Sequence, residues 1–215
     1  MKENPIRDLL AQGNWGEDQA LLQGLRQWQY APVLWQAYET LQEEALFHSQ
    51  VHGPGHIHRV LLLAALLCWK EGAPEEMVRQ VFRAASYHDV GRTFDGYDIY
   101  HGARSALRLA ALTGQTGEAL VELQAAVTAH SRPDREMASI VASFQPRDLP
   151  HAMALTRLLK DADNLDRVRL GDLDQGLSGF CPALVSEGPG GTRTIRMPSG
   201  MAGSKPAVPF FVESA

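Results

Sequence analysis

The chain has 215 residues, a length typical of one domain, or of one domain with an appendage, whose core needs no metal or disulfide to fold. Its 20 basic and 25 acidic residues give a net charge of −5, which argues against a dedicated nucleic-acid binder. The 2 cysteines cannot form a disulfide framework, the N-terminus lacks the apolar region of a secretory signal, and no apolar stretch is long enough to span a bilayer. We therefore expect a cytoplasmic protein that binds neither nucleic acid nor membranes.

The spacing of apolar residues predicts a series of helices. Residues 17–47 form the first helical segment, which Pro32 divides into two helices. Residues 56–72 are apolar on nearly every side, which is typical of a central buried helix, and residues 74–91 form the next helix. Further helices are predicted at residues 101–112, 118–130 and 149–165.

The composition changes after residue 176. Residues 177–215 contain 6 glycines and 5 prolines, a proportion typical of irregular structure. We predict an all-α helical bundle over residues 1–176, followed by a Gly/Pro-rich C-terminal tail over residues 177–215. Within that tail, the apolar sequence VPFFVES is a candidate anchor or short strand.

Several apolar helix faces end in ionisable side chains, among them some of the 8 histidines. The stripe that begins at Val78 continues at helical spacing to His88 and Asp89. A similar stripe leads to His130, and His56 shares a face with apolar residues of the central helix. A buried carboxylate without a partner costs several kcal/mol, so Asp89 must be protonated, ion-paired or bound to a metal.

The last predicted helix carries the acidic sequence DADNLD. Asp163 stands one turn after Leu159, so it is a better inward candidate than Asp161. A single inward histidine is usually a hydrogen-bonded core residue, but imidazoles and carboxylates from several helices suit Mn, Fe, Co, Ni or Zn better than Ca. Structural zinc sites usually contain cysteine, so the pattern favours a catalytic site that is open to water and substrate.

Five segments in order resemble the HD-domain metal-dependent phosphohydrolase superfamily over about residues 52–175. The segments are HGPGHIHRV, AASYHDVGR, HGARSA, AVTAHS and DADNLDR. The resemblance implies an all-helical HD-domain bundle whose metal-binding core consists of His56, His88, Asp89 and Asp163. His52, in the loop before the central helix, ranks below His56 as a ligand.

Many members of that superfamily have two further histidines, which build a second metal site around the aspartate of the doublet. His101 and His130 stand at those places. The periodicity places His130 inward and His101 nearer solvent, as a ligand at the cleft or a substrate contact. Ser131 stands where relatives specialised for cyclic dinucleotides often have another histidine, and the Gly-Tyr-Pro signature is absent, so that specialisation is not expected.

The resemblance implies hydrolysis of a phosphate ester, of a nucleotide or a related small phosphorylated metabolite, with one or two divalent ions bound. Asp89 would be a ligand and the bridge between two ions. Arg92 replaces the lysine that is common after the doublet and would bind the phosphate, so Asp89 and Arg92 are the catalytic candidates. Further basic candidates for substrate contact, each with an exposed surface charge as its alternative, are Lys160, Arg104, Arg59 and Arg132.

Two other functions fit the same residues. Some HD-domain proteins resemble mixed-valent di-iron oxygenases with His and Asp ligands in this order, and others are non-catalytic nucleotide sensors. The loop of residues 93–100 has three aromatic residues. Stacking on a nucleobase, formation of a lid and ordinary packing are the three alternatives for them. The sequence predicts neither the oligomeric state nor which substrate is used.

Overall fold

The computed structural model describes residues 19–167 and two short strands at residues 185–187 and 193–195. Residues 19–167 are mainly helical, so the predicted all-α class is confirmed. The helices are α1 (Gln19–Gln27), α2 (Ala31–Thr40), α3 (Pro54–Lys70), α4 (Glu75–Tyr87), α5 (His101–Ala106), α6 (Leu109–Thr113), α7 (Gly117–His130), α8 (Asp134–Ser143) and α9 (Leu149–Asp166). A 3-10 turn lies at Glu43–Ala45.

Two strands lie within the predicted tail. Strand β1 (Val185–Glu187) pairs antiparallel with β2 (Arg193–Ile195), and Ser186 stands opposite Thr194. The rest of residues 177–215, including VPFFVES, lies outside the described residues, and so do residues 168–176 at the predicted end of the helical domain. The proposed domain boundary at residue 176 therefore stays a prediction.

Helix α3 is the centre of the bundle. It packs against α4 and α9, and its apolar side chains from Val60 to Cys68 are all buried. Burial of one leucine side chain contributes about 1.5–3 kcal/mol, so a run of such residues anchors the helix firmly. Pro54 begins the helix, where a missing N–H costs nothing. Among the described residues, no helix combines the length and apolarity needed to cross a membrane.

Helix α4 ends earlier than the sequence predicts. Its last residue is Tyr87, and the doublet then lies in a tight turn, where Arg92 N–H donates to the Asp89 carbonyl at 3.0 Å. The turn brings Gly91 against the backbone of α5, and a Cβ on Gly91 would lie 2.4 Å from the Ser105 nitrogen. The doublet therefore leaves the helix because the chain must turn to pack its glycine on α5.

The structure differs from the predicted helices in two other places. Residues 101–112 form two short helices instead of one, because Arg108 N–H donates to the carbonyl of Ser105, three residues earlier, in a tighter turn. Helix α8 was not predicted at all. It follows Pro133 with two acidic residues in its first turn, and it buries Met137 and Val141 in a small apolar cluster with α7 and α9.

Candidate metal centre

The six residues predicted as metal ligands lie together at one end of the bundle. The first turn of α3 provides one imidazole, the turn that follows α4 provides a histidine and an aspartate, and α9 provides a second carboxylate. Helices α5 and α7 each provide one histidine, at the first and the last residue respectively. In chain order, these residues are His56, His88, Asp89, His101, His130 and Asp163.

We call the first cluster His56, His88, Asp163 and the Oδ2 atom of Asp89. The Nε2 atoms of the two histidines are 3.1 Å apart, and they lie 3.3 and 3.6 Å from Asp163 Oδ1. Asp89 Oδ2 lies 3.6 Å from His56 Nε2 and 3.8 Å from His88 Nε2. Donors bound about 2.1 Å from one ion stand roughly 3.0–3.5 Å from each other, so this spacing is close to what one ion requires.

The second cluster consists of His101, His130 and the Oδ1 atom of Asp89. The two Nε2 atoms are 2.9 Å apart, and they lie 3.0 and 3.6 Å from Asp89 Oδ1. Each oxygen of Asp89 therefore faces a different cluster. A carboxylate in this position can bridge two ions about 3.5–4 Å apart.

The orientation of the imidazoles directs their Nε2 lone pairs into the two clusters. His88, His101 and His130 each have Nδ1 within hydrogen-bond distance of the backbone carbonyl three residues earlier. A carbonyl only accepts, so Nδ1 carries the proton in each ring and Nε2 carries the lone pair. His56 Nδ1 lies 2.7 Å from a carboxylate oxygen of Asp166, which gives the same result. Metal-binding histidines usually have such partners.

Two features of these atoms fit a bound cation. Asp89 Oδ1 is buried and has no hydrogen-bond donor among the described residues. The facing Nε2 lone pairs at 2.9 and 3.1 Å also repel each other unless a proton or a cation lies between them. Donors of this kind suit a divalent transition metal, so the residues present fit the ion that the sequence implies.

The carboxylates of the centre are ionised. Burial alone would raise the pKa of Asp89, but the surrounding imidazoles outweigh it and hold the pKa well below its usual range. Asp163 behaves in the same way beside His56 and His88. Burial lowers the pKa of His130 to about 4, so that its ring is neutral near pH 7.

His56 differs from His130 because two carboxylates contact it. Burial lowers its pKa, but Asp163 and Asp166 outweigh this effect and raise it to about 9. A metal ion in the first cluster must therefore compete with a proton for His56 Nε2.

A cavity of about 680 Å³ opens beside the two clusters. His56, His101, His130 and Asp163 reach its wall, whereas His88 and Asp89 lie behind them. The volume is typical of a small-molecule site. His101 is only 5% exposed, so the expectation that it lies nearer solvent is wrong, because the loop of residues 92–100 covers it.

Compared with known protein families, the sequence matches the HD domain over residues 55–168, more than half of the chain. The chain belongs to the HD domain family. The match includes every residue of the two clusters, and HD domains bind divalent metals. Comparisons with curated proteins and with solved structures give no match.

The HD domain brings three of the five basic residues predicted to contact substrate, Arg92, Lys160 and Arg132, to the wall of the cavity. Arg92 lies on its wall and donates from Nε to Asp89 Oδ2 at 2.9 Å. Lys160 also lies on the wall, although its ammonium group donates to the Arg132 carbonyl at 2.6 Å and pairs with Asp134 at 2.9 Å. Arg104 does not line this cavity, and its guanidinium group contacts Asp98 instead.

Sequence reasoning missed Asp166, although it lies in the quoted DADNLDR segment of the HD domain. Asp166 is 1% exposed and binds both His56 Nδ1 and the guanidinium group of Arg59, whose Nε donates to Asp166 Oδ1 at 2.6 Å. Arg59 is therefore partly buried, with its side chain 18% exposed, and it pairs with the carboxylate that orients His56, so it is not an exposed surface charge. The available signal was the spacing, because Asp166 stands three residues after Asp163 and shares its helix face.

His52 lies on the cavity wall outside the two clusters. Its Nδ1 is 3.0 Å from Asp95 Oδ1, and Ser49 Oγ donates to the same oxygen at 2.6 Å. This network attaches the loop of residues 92–98 to the loop before α3. In the same loop, Tyr97 is 88% exposed at the edge of the cavity, so it does not pack against the described part of the chain.

Proposed function

We propose that this HD-domain protein hydrolyses a phosphate ester of a nucleotide or a related small phosphorylated metabolite, with two divalent transition-metal ions bound. The observation that carries the proposal is the position of Asp89, whose two carboxylate oxygens face two separate clusters of imidazole nitrogens. A single structural ion does not need such a shared ligand. An open cavity beside the clusters also supports chemistry on a small substrate.

The proposed ligands of the first ion are His56, His88, Asp163 and Asp89, and those of the second are His101, His130 and Asp89. Bound ions of this kind activate a water molecule and neutralise charge on a transferring phosphoryl group. Mn, Fe, Co, Ni and Zn all accept this mixture of imidazole and carboxylate ligands. The chain itself orients these ligands through the hydrogen bonds described above, and it keeps Asp89, Asp163 and His130 deprotonated near pH 7. At His56 the first ion must displace a proton.

Arg92 is the proposed phosphate-binding residue. Its Nε is held by Asp89 Oδ2, and its side chain is 11% exposed on the cavity wall. This attachment fixes the planar guanidinium group beside the centre, so that its remaining N–H groups can donate to phosphoryl oxygens. Lys160 is proposed to add a second positive charge from the opposite helix, α9. Arg104 does not line the cavity, so we do not propose that it binds substrate.

The experiment is a panel of phosphomonoesters and phosphodiesters, including nucleotides, assayed with protein loaded with Mn, Co, Fe, Ni or Zn. We expect release of phosphate or of a nucleotide product from at least one member. Asp89→Asn should lower the rate at least about hundredfold, because several kcal/mol of charge stabilisation depend on the ions. His151→Gln is the matched control, since His151 pairs with Glu122 and does not line the cavity.

Three outcomes would overturn phosphate-ester hydrolysis. Metal-loaded protein that is inactive on the whole panel contradicts it directly. Dioxygen consumption by iron-loaded protein without phosphate release would indicate the oxygenase. Binding of a nucleotide without turnover by any loaded form would indicate the sensor.

A further inference from the structure

Arg104 lies behind the second cluster and contacts two separate segments of chain. Its Nη2 pairs with the Oδ2 atom of Asp98, and its Nε donates to the carbonyl of Gly91 at 2.9 Å. Asp98 belongs to the loop that leads into α5, whereas Gly91 belongs to the turn that follows α4. One guanidinium group therefore joins Gly91, just before the loop of residues 92–98, to Asp98 at its end.

The first segment controls the orientation of His101. The side chain of Asp98 is only 5% exposed, and its Oδ1 accepts the N–H of Tyr100 at 3.0 Å while Oδ2 accepts from Arg104. The backbone carbonyl of the same aspartate accepts the Nδ1–H of His101. The Asp98 carboxylate is thus held in place by Arg104, and its carbonyl sets the rotation of the His101 ring.

The second segment controls the position of Asp89. Gly91 follows Asp89 by two residues, and its N–H donates to Ser105 Oγ at 2.8 Å while its carbonyl accepts from Arg104. Both contacts come from α5 and fix the turn on that helix. As a result, Arg104 supports two ligand atoms of the second cluster, His101 Nε2 and Asp89 Oδ1, which lie 3.0 Å apart.

We propose that Arg104 is a positioning residue that prepares the second cluster for its ion by holding Asp98 and the Gly91 carbonyl together. The inference rests on the proposed two-ion function. The other supports of the centre do not involve Arg104, because His130 is oriented by a carbonyl of α7 and His56 by Asp166. Loss of the guanidinium group should therefore weaken the second ion more than the first, for which Asp89 is one of four proposed ligands and the other three do not depend on Arg104.

The test is a titration of metal-free full-length protein with Mn²⁺ by calorimetry, and with Co²⁺ followed by its visible absorption bands. For Arg104→Gln we expect the second ion to bind about 10–100-fold more weakly and the first ion, which shares only Asp89 with the second, to lose less affinity. Arg108→Gln is the matched control, because Arg108 donates to the Val90 carbonyl of the same turn at 2.6 Å but its contacts do not include Asp98. It should retain the second ion.

A second variant tests the same contact in case Arg104→Gln does not fold. Asp98→Asn removes the charge that Arg104 binds, and it should weaken the second ion by a similar factor. The double variant should bind the second ion no more weakly than Arg104→Gln alone, because Asp98→Asn breaks a contact that Arg104→Gln has already removed.

The possible failures are distinguishable. Uptake of a single ion by the unaltered protein would overturn the two-ion function and this inference with it. Uptake of two ions by both the unaltered protein and Arg104→Gln, with equal affinities, would overturn the role of Arg104 alone. An equal loss in Arg108→Gln would also overturn it, because the effect would then pass through the turn and not through Asp98.

Discussion

Gly91 and His101 are in direct contact through their backbones: a Cβ on Gly91 would lie 2.6 Å from the His101 carbonyl oxygen. No side chain can relax to relieve that overlap, so Gly91→Ala must separate α5 from the turn of the doublet. We expect a loss of roughly 1–3 kcal/mol in the free energy of unfolding and a weaker second ion. Chemical denaturation and metal titration measure the two effects.

Gly55→Ala is the control for that substitution. A Cβ at Gly55 would meet only the end of the flexible Arg59 side chain, at 3.4 Å, within helix α3. Alanine is the better helix former, so this variant should keep its stability. A Gly91→Ala variant as stable as Gly55→Ala, with both ions bound, would show that the close approach is unimportant.

Asp166→Asn should weaken the first cluster and leave the supports of the second cluster in place. The change removes the charge that holds both His56 and Arg59, and a buried ion pair that loses one partner typically costs about 3–5 kcal/mol. We also expect the first ion to bind about 10–100-fold more weakly. Glu75→Gln, which breaks the exposed pair with Arg79, should cost less than about 1 kcal/mol. Equal losses in both variants would contradict the assignment.

Arg92→Gln should weaken phosphate binding while the metal ions remain. We expect the KM for the substrate and the inhibition constant of inorganic phosphate to rise about tenfold or more, because a bidentate charge-assisted contact is lost. Arg92→Lys keeps the charge and should recover part of the affinity. Steady-state kinetics provide the measurement, and unchanged phosphate inhibition in Arg92→Gln would rule out this contact.

Cys68 predicts how stability changes at alkaline pH. Burial raises the pKa of its thiol from 9.0 to about 12, so the folded protein keeps the proton while the unfolded chain releases it above pH 9. This contribution to stability is complete below pH 9 and declines by about 1.4 kcal/mol per pH unit as the pH rises toward 12. We would measure the free energy of unfolding by urea at several pH values between 9 and 12. Its slope against pH should differ between the unaltered protein and Cys68→Ala by that amount. Parallel stability curves would contradict the prediction.

The bundle and most of the metal centre could be predicted from the sequence because both depend on local patterns. The stripe that ends at His88 and Asp89 identifies the doublet, and the spacing after Leu159 identifies Asp163. Helix α8 was missed because Met137 and Val141 form too short a stripe to exceed the surrounding polar residues. The burial of His101 was missed for another reason: helical periodicity does not describe what a preceding loop covers.

The tertiary partners of basic residues were also beyond the sequence. Arg59 and Arg104 look alike in a linear chain, as basic residues on helices near a histidine. Their partners, Asp166 and Asp98, are separated from them by 107 and by 6 residues respectively, and only the folded chain reveals which carboxylate each contacts.

The four histidines differ in how far along the sequence the hydrogen-bond partner of Nδ1 lies. His88, His101 and His130 are each oriented within a single turn of their own chain, so their directions are established as soon as that turn forms. His56 is oriented by a residue 110 positions away, and its direction is established only when α3 and α9 meet. The direction of His56 therefore depends on the packing of α3 against α9, so a change that loosens this packing should lower the affinity of the first cluster for metal even when the other three histidines are unaffected.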